Sequence, residues 1–170
     1  MSLPPAISFV GDSGVGKTTL LVRLVEELRS LGVRVAVVKH SKEFTDPDPP
    51  QKDSARLRKA GAACVVLASP DRTIRFEDHP GAEPSWSSRL ALAGPADLVL
   101  VESYRTAGLP SIEVLRAALP RRGLRFVDDP LLWAIVADFE PHGAPEGLPR
   151  FGLEDAEALA RFLWGRVRSA

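Results

Sequence analysis

One octapeptide, Gly11-Asp12-Ser13-Gly14-Val15-Gly16-Lys17-Thr18, constrains this chain more than any other stretch. It follows an apolar run, Ala6-Ile7-Ser8-Phe9-Val10, and opens a segment of helical periodicity. G-x-x-x-x-G-K-[ST] between a strand and a helix is the pattern of a phosphate-binding loop. Its glycines let backbone N–H groups converge on phosphate oxygens with no Cβ in the way. The helix that follows adds unpaired N–H donors and the positive end of its dipole. Lys17 has the length to reach outer phosphates, and the Thr18 hydroxyl is a hard oxygen suited to Mg²⁺. The expected nucleotide-binding set is Gly11, Asp12, Ser13, Gly14, Val15, Gly16, Lys17, Thr18 and Thr19. The plainer alternative, a Gly-rich turn capping an ordinary helix, is disfavoured because strand and helix both stand where the mechanism needs them.

The rest of the chain follows an alternating pattern. Leu20, Leu21, Leu24, Val25 and Leu28 recur at helical spacing, with Gly32 as a natural stop. Val33 to Val38 reads as a second, nearly continuous apolar strand, completing a βαβ unit. From Lys39 to Gln51 the composition turns polar, and Pro47, Pro49 and Pro50 forbid regular structure. Such a loop at the carboxyl end of a strand belongs to the ligand side of an open α/β sheet. Asp53-Ser54 reads as the cap of a helix ending at Gly61. Strands are expected at Cys64–Ala68, Thr73–Phe76, Asp97–Glu102, Ser111–Leu115 and Leu131–Ala137, with a helix from Pro84 to Leu92. After a Pro/Gly-rich connector, Leu153, Ala156, Leu159, Ala160, Leu163 and Val167 mark a terminal helix. This predicts one domain over residues 1–170: an α/β, three-layer P-loop NTPase fold, its sheet mostly parallel with helices on both faces.

Charge narrows the partners. Lys plus Arg and Asp plus Glu both number 22, so bulk charge gives no reason to expect nucleic acid or an anionic membrane. The single Cys64, in an apolar run, reads as a buried core thiol and excludes an intramolecular disulfide. No apolar run approaches bilayer length and no signal peptide is recognisable, which predicts a soluble cytoplasmic protein.

A triphosphate site holding Mg²⁺ usually takes a carboxylate from the end of a neighbouring strand. Glu102 is the best-placed candidate for metal binding and catalysis; Asp138 ends its strand in a similar way. Asp46, a second catalytic candidate, and Asp48 read either as metal- or water-ordering groups or as a solvated acidic loop. Lys39 and His40 stand near the same rim, with a local structural role as the alternative. Arg121, Arg122 and Arg125 form either a lid over phosphates or a solvated basic loop.

The loop itself is similar to that of Ras-like switch GTPases. Those proteins read guanine with Asn-Lys-x-Asp, and this chain has no Asn. Asp78-His79-Pro80-Gly81 matches the short switch pattern D-x-x-G, with no strongly apolar strand before it. Dimeric partitioning ATPases carry an extra Lys where this chain has Asp12. A P-loop kinase acting on a small metabolite remains a rival, as does an adaptor whose nucleotide is purely structural.

Taken together, several ordered segments resemble the molybdopterin-guanine dinucleotide biosynthesis protein B (MobB) family. They are Gly16-Lys17-Thr18-Thr19-Leu20, Val38-Lys39-His40, Asp46-x-Asp48, Lys52-Asp53-Ser54 and Leu57-Arg58-Lys59-Ala60-Gly61-Ala62. The strand Asp97–Glu102, Val136-Ala137-Asp138 and the region Glu154–Glu157 continue the likeness over most of the chain. Ser103 stands where that family usually has Gly. The resemblance implies a homodimeric, GTP- and Mg²⁺-binding protein with weak GTPase activity. It implies an adaptor beside the molybdenum cofactor guanylyltransferase, which joins GMP to molybdopterin, with molybdopterin or molybdoenzyme apoproteins as further partners.

Overall fold

The computed structural model of the chain describes residues 3–41, 46–79, 81, 83–103 and 108–169. Phe44 and Thr45 of the Pro-rich loop and Pro80 of the Asp-His-Pro-Gly stretch lie outside the described residues. The chain divides into two compact units, Met1–His40 with Trp86–Ala170, and Ser41–Ser85.

The larger unit is built on a six-stranded, wholly parallel sheet. Its strands are β1 (Ala6–Val10), β2 (Val35–Lys39), β5 (Leu98–Glu102), β6 (Ser111–Val114), β7 (Leu132–Val136) and β8 (Arg150–Phe151), in the order β2-β5-β1-β6-β7-β8. Its helices are α1 (Lys17–Ser30), α3 (Trp86–Ala91) and α4 (Ala156–Arg168). Side chains alternate across the pleat, so each central strand feeds two cores. On one face Ile7, Phe9, Leu98, Leu100, Ile112 and Val136 meet Leu20, Leu24 and Leu28 of α1 and Leu159 and Leu163 of α4. On the other, Ala6, Val99 and Val101 meet Leu90 of α3. Each fully buried Leu or Phe there contributes about 1.5–3 kcal/mol. α1 ends as the sequence predicts: Gly32, at φ 78°, donates to the Arg29 carbonyl and Val33 N–H to that of Leu28.

The smaller unit holds α2 (Asp53–Lys59) and an antiparallel hairpin, β3 (Val65–Ala68) with β4 (Thr73–Phe76). Three expectations fail in instructive ways. Cys64 is exposed, because its apolar run enters a two-stranded hairpin and not a covered central strand. Asp53-Ser54 does not cap α2: Lys52 holds the cap position, and the Ser54 hydroxyl donates to Asp48 Oδ1 instead. β2, expected as a buried strand, is the sheet's edge and leaves Val37 49% exposed. β8, only two residues long, carried no readable periodicity.

Candidate phosphate-binding site

The parallel register brings the carboxyl ends of β1, β2 and β5 together: Phe9 lies beside Glu102, and Glu102 beside Lys39. The loop after β1 therefore runs over a carboxylate and a lysine from its neighbours. At its start, a Cβ on Gly11 would sit 2.4 Å from the Val114 carbonyl oxygen, so only glycine lets the loop pass β6 this closely. At its end Gly16, at φ 100°, occupies the cap position of α1 and gives it no side-chain cap. The first-turn N–H groups of α1 are thus left for an external acceptor.

These elements wall a cavity of about 590 Å³ lined by Gly11, Ser13, Gly14, Gly16, Lys17, Thr18, Thr19, Lys39, Glu102, Ser103 and Arg116. Thr18 Oγ1 donates to Glu102 Oε1 at 2.6 Å, and Lys39 Nζ stands 3.5 Å from Glu102 Oε2. A hydroxyl and a carboxylate side by side are hard oxygen donors of the type Mg²⁺ takes. Lys17 Nζ donates to the carbonyls of Gly11 and Asp12, at 3.0 and 2.9 Å. Burial lowers the Lys17 pKa, partly countered by Glu102 and Asp12. An ammonium tied only to carbonyls, beside open amides, is arranged to receive an anion.

The expected set divides here. Val15 is 1% exposed and belongs to the apolar core. Asp12 turns its carboxylate to the β6–β7 connection, accepting from Arg121 Nε at 2.8 Å and Arg125 Nη2 at 2.9 Å. The hydrogen bond from Arg121 leads the effects that hold its pKa below the ordinary value. Two of the three basic-loop arginines thus clamp the phosphate loop from outside, while Arg122 stacks over Phe139. Asp138 accepts from Ala117 N–H at 2.6 Å and is absent from the cavity wall.

Asp46 and Asp48 lie in the smaller unit, around Arg58. Arg58 Nη2 donates to Asp46 Oδ2 at 2.5 Å and reaches Asp48 Oδ2 at 3.4 Å, with Asp78 at 3.7 Å from Nη1. Its guanidinium also covers the Phe76 ring, 4.8 Å from the centroid.

Glu113 and Arg116 escaped the sequence reading, and Ser103 was marked there only as a departure from the family's glycine. Glu113, 1% exposed, accepts from the N–H groups of Arg125 and Phe126 and so fixes the connection that clamps Asp12. Burial raises its pKa. An acid inside the apolar stretch Ile112–Leu115 was the available signal. Ser103, following Glu102, sits at φ 67°, the left-handed conformation a glycine takes without strain. Arg116, on the cavity wall, had no signal beyond its place after a strand.

Comparison with known proteins identifies the family and the fold. The profile of the family described as molybdopterin guanine dinucleotide synthesis protein B matches residues 6–138. The molybdopterin-guanine dinucleotide biosynthesis adapter protein of Escherichia coli K12 is 34% identical over 162 residues, spanning 94% of this chain and 91% of its own. A crystal structure of molybdopterin-guanine biosynthesis protein B superposes with a TM-score of 0.73 at 28% identity, covering 95% of this chain and 99% of that one. Bacillus subtilis MobB, at 19% identity with a TM-score of 0.69 over 95% and 97% of the two chains, shares the fold. This chain belongs to the molybdopterin guanine dinucleotide synthesis protein B family, MobB.

Proposed function

We propose that this protein is a GTP-binding adaptor of molybdopterin guanine dinucleotide biosynthesis, acting where GMP is attached to molybdopterin, with slow GTP hydrolysis. The observation that carries the nucleotide half is the preformed cradle, with the Thr18–Glu102 hydrogen bond at its floor. The biosynthetic half rests on family membership and on what the Escherichia coli relative is named for.

In this reading the amides of Gly14 to Thr19 hold the phosphates, and Lys17 exchanges its carbonyl partners for phosphate oxygens. Thr18 and Glu102 are the residues that would hold Mg²⁺. An ion held there would supply charge neutralisation for the polyphosphate. Among the described residues no Gln lines the cavity to orient a water, in keeping with slow turnover. The adaptor's partner is the guanylyltransferase, with molybdopterin or apo-molybdoenzymes further along. The protein works as a homodimer; support comes from the β2 edge, where Val37 and Val22 of α1 are 49% and 55% exposed. Sedimentation velocity tests that state.

Side-by-side calorimetry with GTP and ATP, with and without Mg²⁺, is the test of the site. Mg²⁺-dependent preference for GTP is expected; equal affinity for ATP would remove the guanine assignment. Labelled GTP or ATP incubated with a metabolite pool should lose its γ-phosphate only to water. Transfer to a metabolite would make the protein a kinase instead.

A further inference from the structure

The connection after β6 carries Arg116, Arg121 and Arg125, and their circumstances differ. Arg121 and Arg125 are both engaged by Asp12. Arg116 has no side-chain hydrogen bond or ion pair among the described residues. It is exposed, yet it lines the cradle cavity, its Nη1 lying 3.5 Å from where a Cβ on Gly16 would be. Among the described residues, three cations line that cavity. Lys39 is paired with Glu102 and Lys17 is tied to loop carbonyls, so of these three Arg116 is the uncommitted one.

Its backbone, by contrast, is firmly held. Leu115, before it, is buried and donates to the Val136 carbonyl at 2.8 Å. Ala117, after it, donates to Asp138 Oδ1 at 2.6 Å, and Leu119 N–H closes a turn on the Arg116 carbonyl. A guanidinium held at the base and free at the tip, above open amides, has the form of an anion ligand. Its planar fork also suits phosphate oxygens better than an ammonium does.

We propose that Arg116 is a phosphate-binding residue of this site, supplying from within the chain a guanidinium that closes on the polyphosphate from the β6 side. This rests on the reading of the cradle as a triphosphate site and adds a ligand to it. Asp138 becomes a positioning residue, acting through the Ala117 amide.

The test compares wild type, Arg116→Ala and Arg116→Lys by calorimetry with GTP and with inorganic triphosphate, both with Mg²⁺. Losing a charge-assisted contact should weaken both ligands in the Ala variant by about tenfold or more, with partial recovery in the Lys variant. Since the Arg116 side chain has no partner among the described residues, the melting temperature without ligand should not move. Affinities of the Ala variant within about twofold of wild type would overturn the assignment. So would a loss confined to GTP, which would place Arg116 on the base or ribose. Wild type failing to bind either ligand would instead overturn the cradle reading beneath it. Should Arg116→Ala fold poorly, Arg116→Gln and the wild-type Arg116 side-chain N–H signals with and without triphosphate decide the same question. Signals unmoved by triphosphate would contradict the proposal.

Discussion

The two units of this chain are held together by different physics. In the larger one, Phe9, Leu24, Leu98, Leu100, Ile112 and Leu159 are all fully buried, and the parallel strands are covered on both faces. In the smaller, buried apolar residues are few among the described residues, Ala55 and Val65 being two, while Leu57, Val66, Leu67 and Ile74 are exposed. What fixes it is polar: Arg58 gathers Asp46, Asp48 and Asp78 and covers Phe76, and Ser54 donates to Asp48. A covered parallel core can present a loop in one geometry without help. A hairpin with an apolar outer surface and an ionic centre is less self-sufficient. That contrast places the preorganised chemistry in the first unit.

The most forceful way to break the comparison is Leu24→Ala. Emptying a fully buried position between α1 and the sheet should cost about 2–5 kcal/mol in denaturant unfolding. A cost near zero would mean the core is not the source of stability claimed for it. Next comes Arg58→Ala, which leaves Asp48, one of the few buried carboxylates, without its counter-charge. By hydrogen exchange, amides of α2 and the hairpin should open faster while those of β1 and β5 keep their protection. Equal acceleration in both units would show that they do not differ in the way described.

How much of this was legible beforehand depended on how local the signal was. β1, α1 and β5 announce themselves through apolar runs, helical spacing and the loop pattern, and Glu102 follows from ending its strand. The clamp on Asp12 does not: Arg121 lies 109 residues away, and nothing in either segment names the other. Cys64 misled because an apolar run says that a side chain wants cover, not that a neighbour will provide it. Asp138 looked like Glu102 on paper, yet the connection after β6 supplies an amide that claims its carboxylate. Arg116 could be read only once the fold had placed it above Gly16.

Smaller effects sharpen the picture within the first unit. Ser103→Gly relieves a left-handed serine beside Glu102 and should stabilise by up to about 1 kcal/mol, less the chain entropy glycine adds. Thermal unfolding checks the sign; destabilisation would mean the serine side chain contributes more than its backbone costs. For Asp12, the pKa is held below its ordinary 3.8 by Arg121, so the clamp's contribution is fully present above that pH. It is lost as pH falls through the lowered value. The stability difference between wild type and Asp12→Asn should therefore be flat near neutrality and shrink below about pH 4. A difference that grew on acidification would contradict the ion-pair account.

The central claim is that the turn from Gly11 to Thr19 receives a polyphosphate, and Lys17→Ala tests it most directly. Titrated with GTP and Mg²⁺, the wild-type protein should bind, and the variant should bind at least about tenfold more weakly with its fold intact by circular dichroism. Undiminished affinity in a folded Lys17→Ala protein would contradict the account.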